Sequence, residues 1–326
     1  MAQATGAKSR VTAVTESTYN EVPATPDAEL IYIQTFTLKP SAAREQDPTL
    51  SGFRGQARGT LGRSEVSGQA TVSLAPGSIG FWLKHLIGAP ATSGAVSPYT
   101  HTFSLANPIP PGITFEVDYG AAIPAPGRYM RYSGCRINQA QFQFQTQGTP
   151  SATIDIVGSS SNGTAVAPLD ATPTDPGHAA WGVSNLALVL DGGATEVCLE
   201  SLNVTWSNDL DADLWCINNG GQRHGLPEGF AIVTGDGVAQ FDTPVLLTKA
   251  LTDQDLSIQV SLTRGTGAGT AGNESLVLTI PLSTIDQTAP EISGPRGLKM
   301  PFNFVAHRET GELAVTAVLK NQRATI

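Results

Sequence analysis

The feature that most limits the fold of this chain is an alternating pattern that occurs twice, about half a chain apart. Ala140, Phe142, Phe144 and Thr146 alternate with Gln139, Gln141, Gln143, Gln145 and Gln147. A period of two places the first set on one side of a β-strand and the glutamines on the other. A turn at Gly148-Thr149-Pro150 leads to a second run with Ala152, Ile154 and Ile156 on one side, so the pair predicts a hairpin with one buried face. Near the other end Met300, Phe302, Phe304 and Ala306 alternate, Glu309-Thr310-Gly311 offers a turn, and Leu313, Val315 and Ala317 follow. Phe142-Gln143-Phe144 thus recurs as Phe302-Asn303-Phe304, 160 residues on in a chain of 326.

Upstream segments repeat in the same order. Ile31, Ile33, Phe36 and Leu38 match the strand Leu199 to Trp206, and each is followed by a long polar loop, about Pro40 to Gly62 and Ser207 to Gly225. An alternating strand over Val66, Gly68, Ala70, Val72 and Leu74 has a shorter counterpart at Phe230 and Ile232, where Asp236-Gly237 signals a turn. Ile79, Trp82, Leu83, Leu86 and Ile87 fall at helical spacing, with Ser78 as N-cap and Gly88 past the end. Thr243-Pro244 opens a second helix through Leu251. Strands are predicted at Tyr99 to Leu105, Ile113 to Tyr119, Leu256 to Thr263 and Glu274 to Leu282. The reading is an all-β chain with minor α in two similar halves, 1–163 and 164–326, each with one short helix. Ser159 to Gly177, rich in Ser, Thr, Pro and Ala, reads as the linker.

Composition narrows the function classes. Charged residues make up 14% of the chain, against ~25% in typical soluble domains. Residues 1–163 hold 11 Lys and Arg against 10 Asp and Glu, and residues 164–326 hold 8 against 18, for net charges of +1 and −10. That leaves no basic footprint for gripping nucleic acid. Cys135, Cys198 and Cys216 show no CxxC spacing and read as reduced thiols of an intracellular protein. No apolar leader follows Met1, and the longest charge-free stretch, His85 to Phe115, is too rich in Pro, Ser, Thr and Gly for a membrane helix.

Motifs with chemical meaning fail on their context. Asp209, Asp211 and Asp213 begin like a calcium loop, but Leu214 and Gly220 stand where Gly and Glu are needed. Gly267-Ala268-Gly269-Thr270-Ala271-Gly272 satisfies GxGxxG, yet a strand-like segment follows where a dinucleotide site needs a helix. The five histidines are scattered and no serine sits in a GxSxG elbow. Neither a catalytic group nor a cofactor or metal site is expected. Trp82, Trp181, Trp206 and Trp215 read as core or interface anchors.

Two combinations carry a family resemblance. Ala4-Thr5-Gly6-Ala7-Lys8-Ser9-Arg10 with Glu16-Ser17-Thr18-Tyr19 is one. Gly80-Phe81-Trp82-Leu83-Lys84-His85-Leu86-Ile87-Gly88-Ala89-Pro90 before Tyr99-Thr100-His101-Thr102-Phe103 is the other. Together they resemble the tail tube proteins of long-tailed bacteriophages, read as the non-contractile, siphovirus type, over nearly the whole chain, with contractile-tail and secretion-system tubes resembling the fold too. The resemblance implies two tandem tail-tube-like β-sandwich or half-barrel domains and a structural, non-enzymatic role in the virion tail. Three doubled chains would close a pseudo-sixfold ring, and stacked rings would form a conduit for the genome. It also implies assembly in the bacterial host cytoplasm. Its partners would be further copies of itself, a tape-measure protein, tail-tip and terminator proteins, and double-stranded DNA passing without specific binding, with no membrane.

Placed on that arrangement, Gln139, Gln141, Gln143, Gln145 and Asn303 are candidates for the lumen wall, or for an ordinary solvent or subunit face. The long loops, with Arg44, Arg54 and Arg58 in one and Asp209, Asp211 and Asp213 in the other, are candidates for ring-to-ring or subunit contacts, or are simply solvated. The C-terminal Lys320 to Ile326 and residues 1–8 are expected to order on assembly. A carbohydrate- or receptor-binding β-sandwich is the competing class. It requires aromatic residues clustered on one set of loops, whereas aromatics here total 6% and lie mostly in strands.

Overall fold

Alternation decides the architecture. In the computed structural model, which describes residues 3–50, 52–193, 197–290, 292, 294–311 and 313–326, the chain is all-β with two short helices. The strands are β1 (Arg10–Glu16), β2 (Glu29–Ile31), β3 (Thr35–Phe36), β4 (Lys39–Glu45), β5 (Thr60–Ser73), β6 (Ala91–Ser93), β7 (Tyr99–Ser104), β8 (Gly112–Asp118) and β9 (Tyr129–Gln145). They continue with β10 (Ser151–Gly158), β11 (Ser160–Ala165), β12 (Leu186–Leu190), β13 (Leu199–Ser207), β14 (Ile232–Gln240), β15 (Leu256–Thr263), β16 (Ser275–Ile285), β17 (Lys299–Ala306) and β18 (Thr316–Asn321). Helix α1 (Ile79–Leu86) follows β5, and α2 (Val245–Thr252) follows β14.

Eight strands pair side by side, all antiparallel, in the order β4-β5-β10-β9-β13-β14-β17-β16. The junction β9–β13 joins the two halves through seven residue pairs, Gln145↔Ser201 to Gln139↔Ser207. On the buried face one row runs Val72, Ala152, Phe142, Val204, Gly235, Phe304 and Ile285 across seven strands. Each large apolar side chain so buried stabilises the fold by about 1.5–3 kcal/mol.

The longest strands carry the chain out of this sheet. The first part of β9 pairs with β8 and β11, and β1 and β2 lie beyond β8. The first part of β16 joins a second layer ordered β12-β15-β16-β18-β7-β6. Leu83 of α1 lines a small core cavity together with Phe142 and Phe144 of the long sheet and Val260, Leu262 and Leu276 of that layer. On the same helix Trp82 stacks on Phe115 of β8, with ring centroids 5.9 Å apart. One hydrophobic cluster therefore runs through both halves.

Several sequence expectations are overturned. Among the described residues the second hairpin does not form: β17 is taken by β14 and β16, while β18 inserts between β16 and β7 of the other half. Asp236-Gly237 is not a turn, since β14 runs straight through it. The linker is no linker, because Ser160–Ala165 is β11 and Thr174 exchanges backbone hydrogen bonds with Ala28 and Leu30. Ser78 makes no side-chain cap; the Ile79 amide instead donates to the Ala75 carbonyl. The C-terminal residues are held within the chain. Arg323 donates to both carboxylate oxygens of Glu29, at 2.8 and 2.7 Å, and Lys84 Nζ donates to the Ile326 carbonyl.

Candidate functional site: the open face and ends of the long sheet

The side of the eight-strand sheet that faces away from the core is polar because each strand alternates in phase with its neighbours. One cross-strand row reads Ser73, Ser151, Gln143, Asn203, Asp236 and Asn303. The next reads Thr71, Thr153, Gln141, Thr205, Thr234 and Val305, and a third Gln69, Asp155, Gln139, Ser207 and Ile232. These rows contain two acids, Asp155 and Asp236, and no Lys or Arg. The face is tied by short side-chain bonds, Asn203 Nδ2 donating to Asp236 at 2.9 Å and Gln143 Nε2 to Gln141 at 3.1 Å. Gln139, Gln141 and Gln143 are half-buried and Gln145 is exposed. The structure thus puts Gln139, Gln141, Gln143, Gln145 and Asn303 on one face, with Gln143 and Asn303 in one row. At the rim Lys299 is neutralised by Glu200, 2.6 Å away.

Because neighbours are antiparallel, β5, β9 and β14 run in the same direction, and the sheet has a lower end at their N-termini and an upper end at their C-termini. Both candidate loops lie at the lower end. The first is in part a hairpin arm, β4 on the first half of β5, while residues 46–50 and 52–59 at its tip lie outside strands. Arg44 is consequently a strand residue, opposite Leu61, and its Nη1 donates to the Gly59 carbonyl at 3.1 Å. Arg54 and Arg58 are exposed in the tip.

The second loop, with Asp209, Asp211 and Asp213, folds back onto the base of the arm. Trp215 lies between two guanidinium groups, with Arg63 5.0 Å and Arg223 5.1 Å from its ring centroid. Ser64 N donates to the Gly221 carbonyl, and Arg223 Nη1 to that of Gly158. Asp211 accepts from its own loop, from the Asp213 amide at 3.0 Å. Sequence reading missed this clip; Arg63, just past the expected end of the first loop, gives no local hint of a Trp partner in the other half. Trp82, Trp181 and Trp206 are buried in the core.

Charge is sequestered elsewhere. Asp118 sits against Arg128 and Arg10, and although burial opposes ionisation, the Arg128 bonds hold its carboxyl below the usual range. Glu16 is buried among donors, Thr114 Oγ1 and the amides of Gly134 and Asn20, and burial still pushes its pKa up. Among the described residues no group of three His, Cys, Asp or Glu side chains is placed to hold a metal ion, and no helix is long and apolar enough to cross a membrane.

Residues 6–306 match a family model described as phage tail tube protein. No curated protein matches the chain.

Proposed function

We propose, from the premise that this chain belongs to the phage tail tube protein family, that its structural role is to wall a genome conduit with the open face of the long sheet. The observation that carries this reading is an eight-strand sheet, four strands from 1–163 and four from 164–326, whose exposed face carries two acids and no Lys or Arg over its three central rows, with Lys39, Glu65 and Lys299 confined to its margins. A wall of Lys and Arg would hold phosphates and stall a passing duplex. Neutral amides, hydroxyls and two acids do not. The two halves act as tandem modules, and three chains close a pseudo-sixfold ring.

Geometry supports the closure. Three chains supply 24 strands, and at ~4.8 Å spacing and ~40° tilt they give a barrel about 48 Å across the backbone. Removing roughly 5 Å of side chain per wall leaves about 38 Å, ample for the duplex whose major groove alone spans ~12 Å. The lateral borders are open to such pairing. Among the described residues the outer side of β4 is unpaired, and β16 covers only Phe304–Ala306 of β17. Ring-to-ring register comes from the lower-end arm and loop, with Arg54 and Arg58 against acidic neighbours. Further partners are a tape-measure protein and tail-tip and terminator proteins, in a non-contractile tail built in the host cytoplasm.

Electron microscopy of concentrated protein tests the reading. The expected outcome is hollow filaments with a bore of about 38 Å, with Gln141, Gln143 and Asn303 facing it. Filaments whose outer wall carries those residues would sink it.

A further inference from the structure

The two ends of the long sheet are complementary. At the lower end, the tip of the β4–β5 arm displays Leu50 and Phe53, which are 97% and 84% exposed and have no packing role in their own chain. At the upper end, an apolar groove of about 310 Å³ opens between the last residues of β9, the first residues of β13, and β12. Val183, Leu186, Leu188, Val197, Leu199 and Leu202 line it. A phenyl ring and an isobutyl group at a loop tip are an unusual pair to leave in water on a monomer. A largely apolar groove, with Gln145 and Glu200 also in its lining, stands open at the other end of the same strands.

We propose that Leu50 and Phe53 of one chain dock in the β9–β12–β13 groove of a chain in the next ring. This deepens the tube reading and rests on it. A knob at one end of a sheet and its socket at the other cannot satisfy each other within one chain, whereas between chains that run the same way along a tube each knob meets the next chain's socket. They satisfy each other head to tail, the heterologous contact that generates an open stack rather than a closed particle. Charge agrees with this direction. Arg54, Arg58 and Asp47 are exposed in the knob tip, for a net positive charge, whereas Asp242 and Asp286 are exposed just past the upper ends of β14 and β16, with Arg296 and the Glu200-paired Lys299 at the same end. The second half, which forms most of the socket, carries the net −10. Glu45 pairs with Thr60, so the fourteen residues between them form a loop whose tip can stand up to about 23 Å beyond the arm.

Two measurements test the docking. In the first, Leu50→Ser/Phe53→Ser is compared with the unaltered chain for the concentration at which filaments appear. Both positions are exposed, so the fold is unaffected, and losing the buried anchors is expected to raise that concentration roughly tenfold or more. An unchanged concentration overturns the proposal. In the second, Phe53→Cys is treated with a short bis-maleimide. Exposed Cys198 lies between the groove residues Val197 and Leu199, so the expected product is an interchain crosslink that appears in filaments and vanishes in Phe53→Cys/Cys198→Ser. Filaments without that crosslink overturn the docking while leaving the tube reading intact. Failure of the unaltered chain to form filaments under any condition overturns both.

Discussion

Gly237→Ala is the sharpest test of how the long sheet is packed. Gly237 lies opposite Phe302 in the β14–β17 pairing. A methyl group there would sit 2.7 Å from Phe302 Cζ, 2.8 Å from Cε1 and 3.1 Å from the Ser201 carbonyl oxygen. Restoring ordinary contact requires the ring to retreat by most of an ångström, but Phe302 is only 3% exposed and has core on its far side. Overpacking of this kind costs about 1–3 kcal/mol. Replacing glycine by alanine returns about 0.4–1 kcal/mol by restricting the unfolded chain. The net expectation is a loss of about 1–2 kcal/mol, read as a lower urea midpoint at constant slope. In the double variant Gly237→Ala/Phe302→Leu the smaller side chain makes room, so the two changes should couple by about 1 kcal/mol or more in the favourable direction. If Gly237→Ala is as stable as the parent, or the pair is simply additive, the ring does not occupy the glycine's place and the packing argument fails.

Other perturbations reach different parts of the molecule. His85, buried against Thr15 at 3.0 Å, and His101 are both held below the ordinary histidine value of 6.5 chiefly by burial. The unfolded chain therefore takes up protons first as pH falls, and stability present above about 6.5 should decline below it by up to ~1.4 kcal/mol per pH unit for each group; equal unfolding midpoints at pH 7.5 and 5.5 would refute this. Arg323→Ala strands Glu29, 8% exposed, without its two-pronged partner, and should cost about 3 kcal/mol in urea unfolding, part of which Glu29→Ala in the same chain restores. Gln143→Lys leaves the fold within about 0.5 kcal/mol but should make assembled filaments retain short duplex DNA, with log K falling against log salt by ~0.9 for each phosphate engaged; filaments that ignore DNA as before would count against Gln143 facing the bore.

What was legible in the sequence was whatever depends on local period. The alternation around Phe142 and Phe304 placed β9, β10 and β17 and told which face is wet, because one buried side forces a period of two. The spacing Ile79-Trp82-Leu83-Leu86 located α1 because a single buried stripe imposes the helical period in the same way. What failed depends on partners distant in sequence. Asp236-Gly237 has the composition of a turn, yet Gly235 and Gly237 are small because the rings of Phe304 and Phe302 lie over them. Nothing nearby in the sequence reveals that. Ser160–Ala165 is polar enough for a linker and becomes a strand because the extended first part of β9 offers it an edge. The arm looks like a loop in the sequence because β4 is exposed at every position, so its pairing leaves no apolar signature.

That same exposure bears on how a chain with open borders avoids indiscriminate pairing. β4 is a seven-residue strand whose outer side is unpaired among the described residues, the kind of border that recruits any passing strand. It carries Lys39, Pro40, Arg44 and Glu45. Proline removes a donor, and the charges repel a generic apolar strand. A partner must therefore bring matching charge and register before backbone pairing is worth its entropy, and in the proposed ring a neighbouring chain of the same sequence would offer β17 and the end of β16 as that fixed partner. On the other border Lys299 is already neutralised by Glu200 and Pro301 again withholds a donor from β17. Weak, selective borders and a strongly buried interior are the combination that favours closing a ring over growing a disordered sheet. Substituting Pro40→Val and Lys39→Thr should then convert the protein to amorphous aggregate at concentrations where the parent remains dispersed, as light scattering would record. If the substituted chain stays equally dispersed, β4 is not the guarded border and ring closure must be controlled elsewhere.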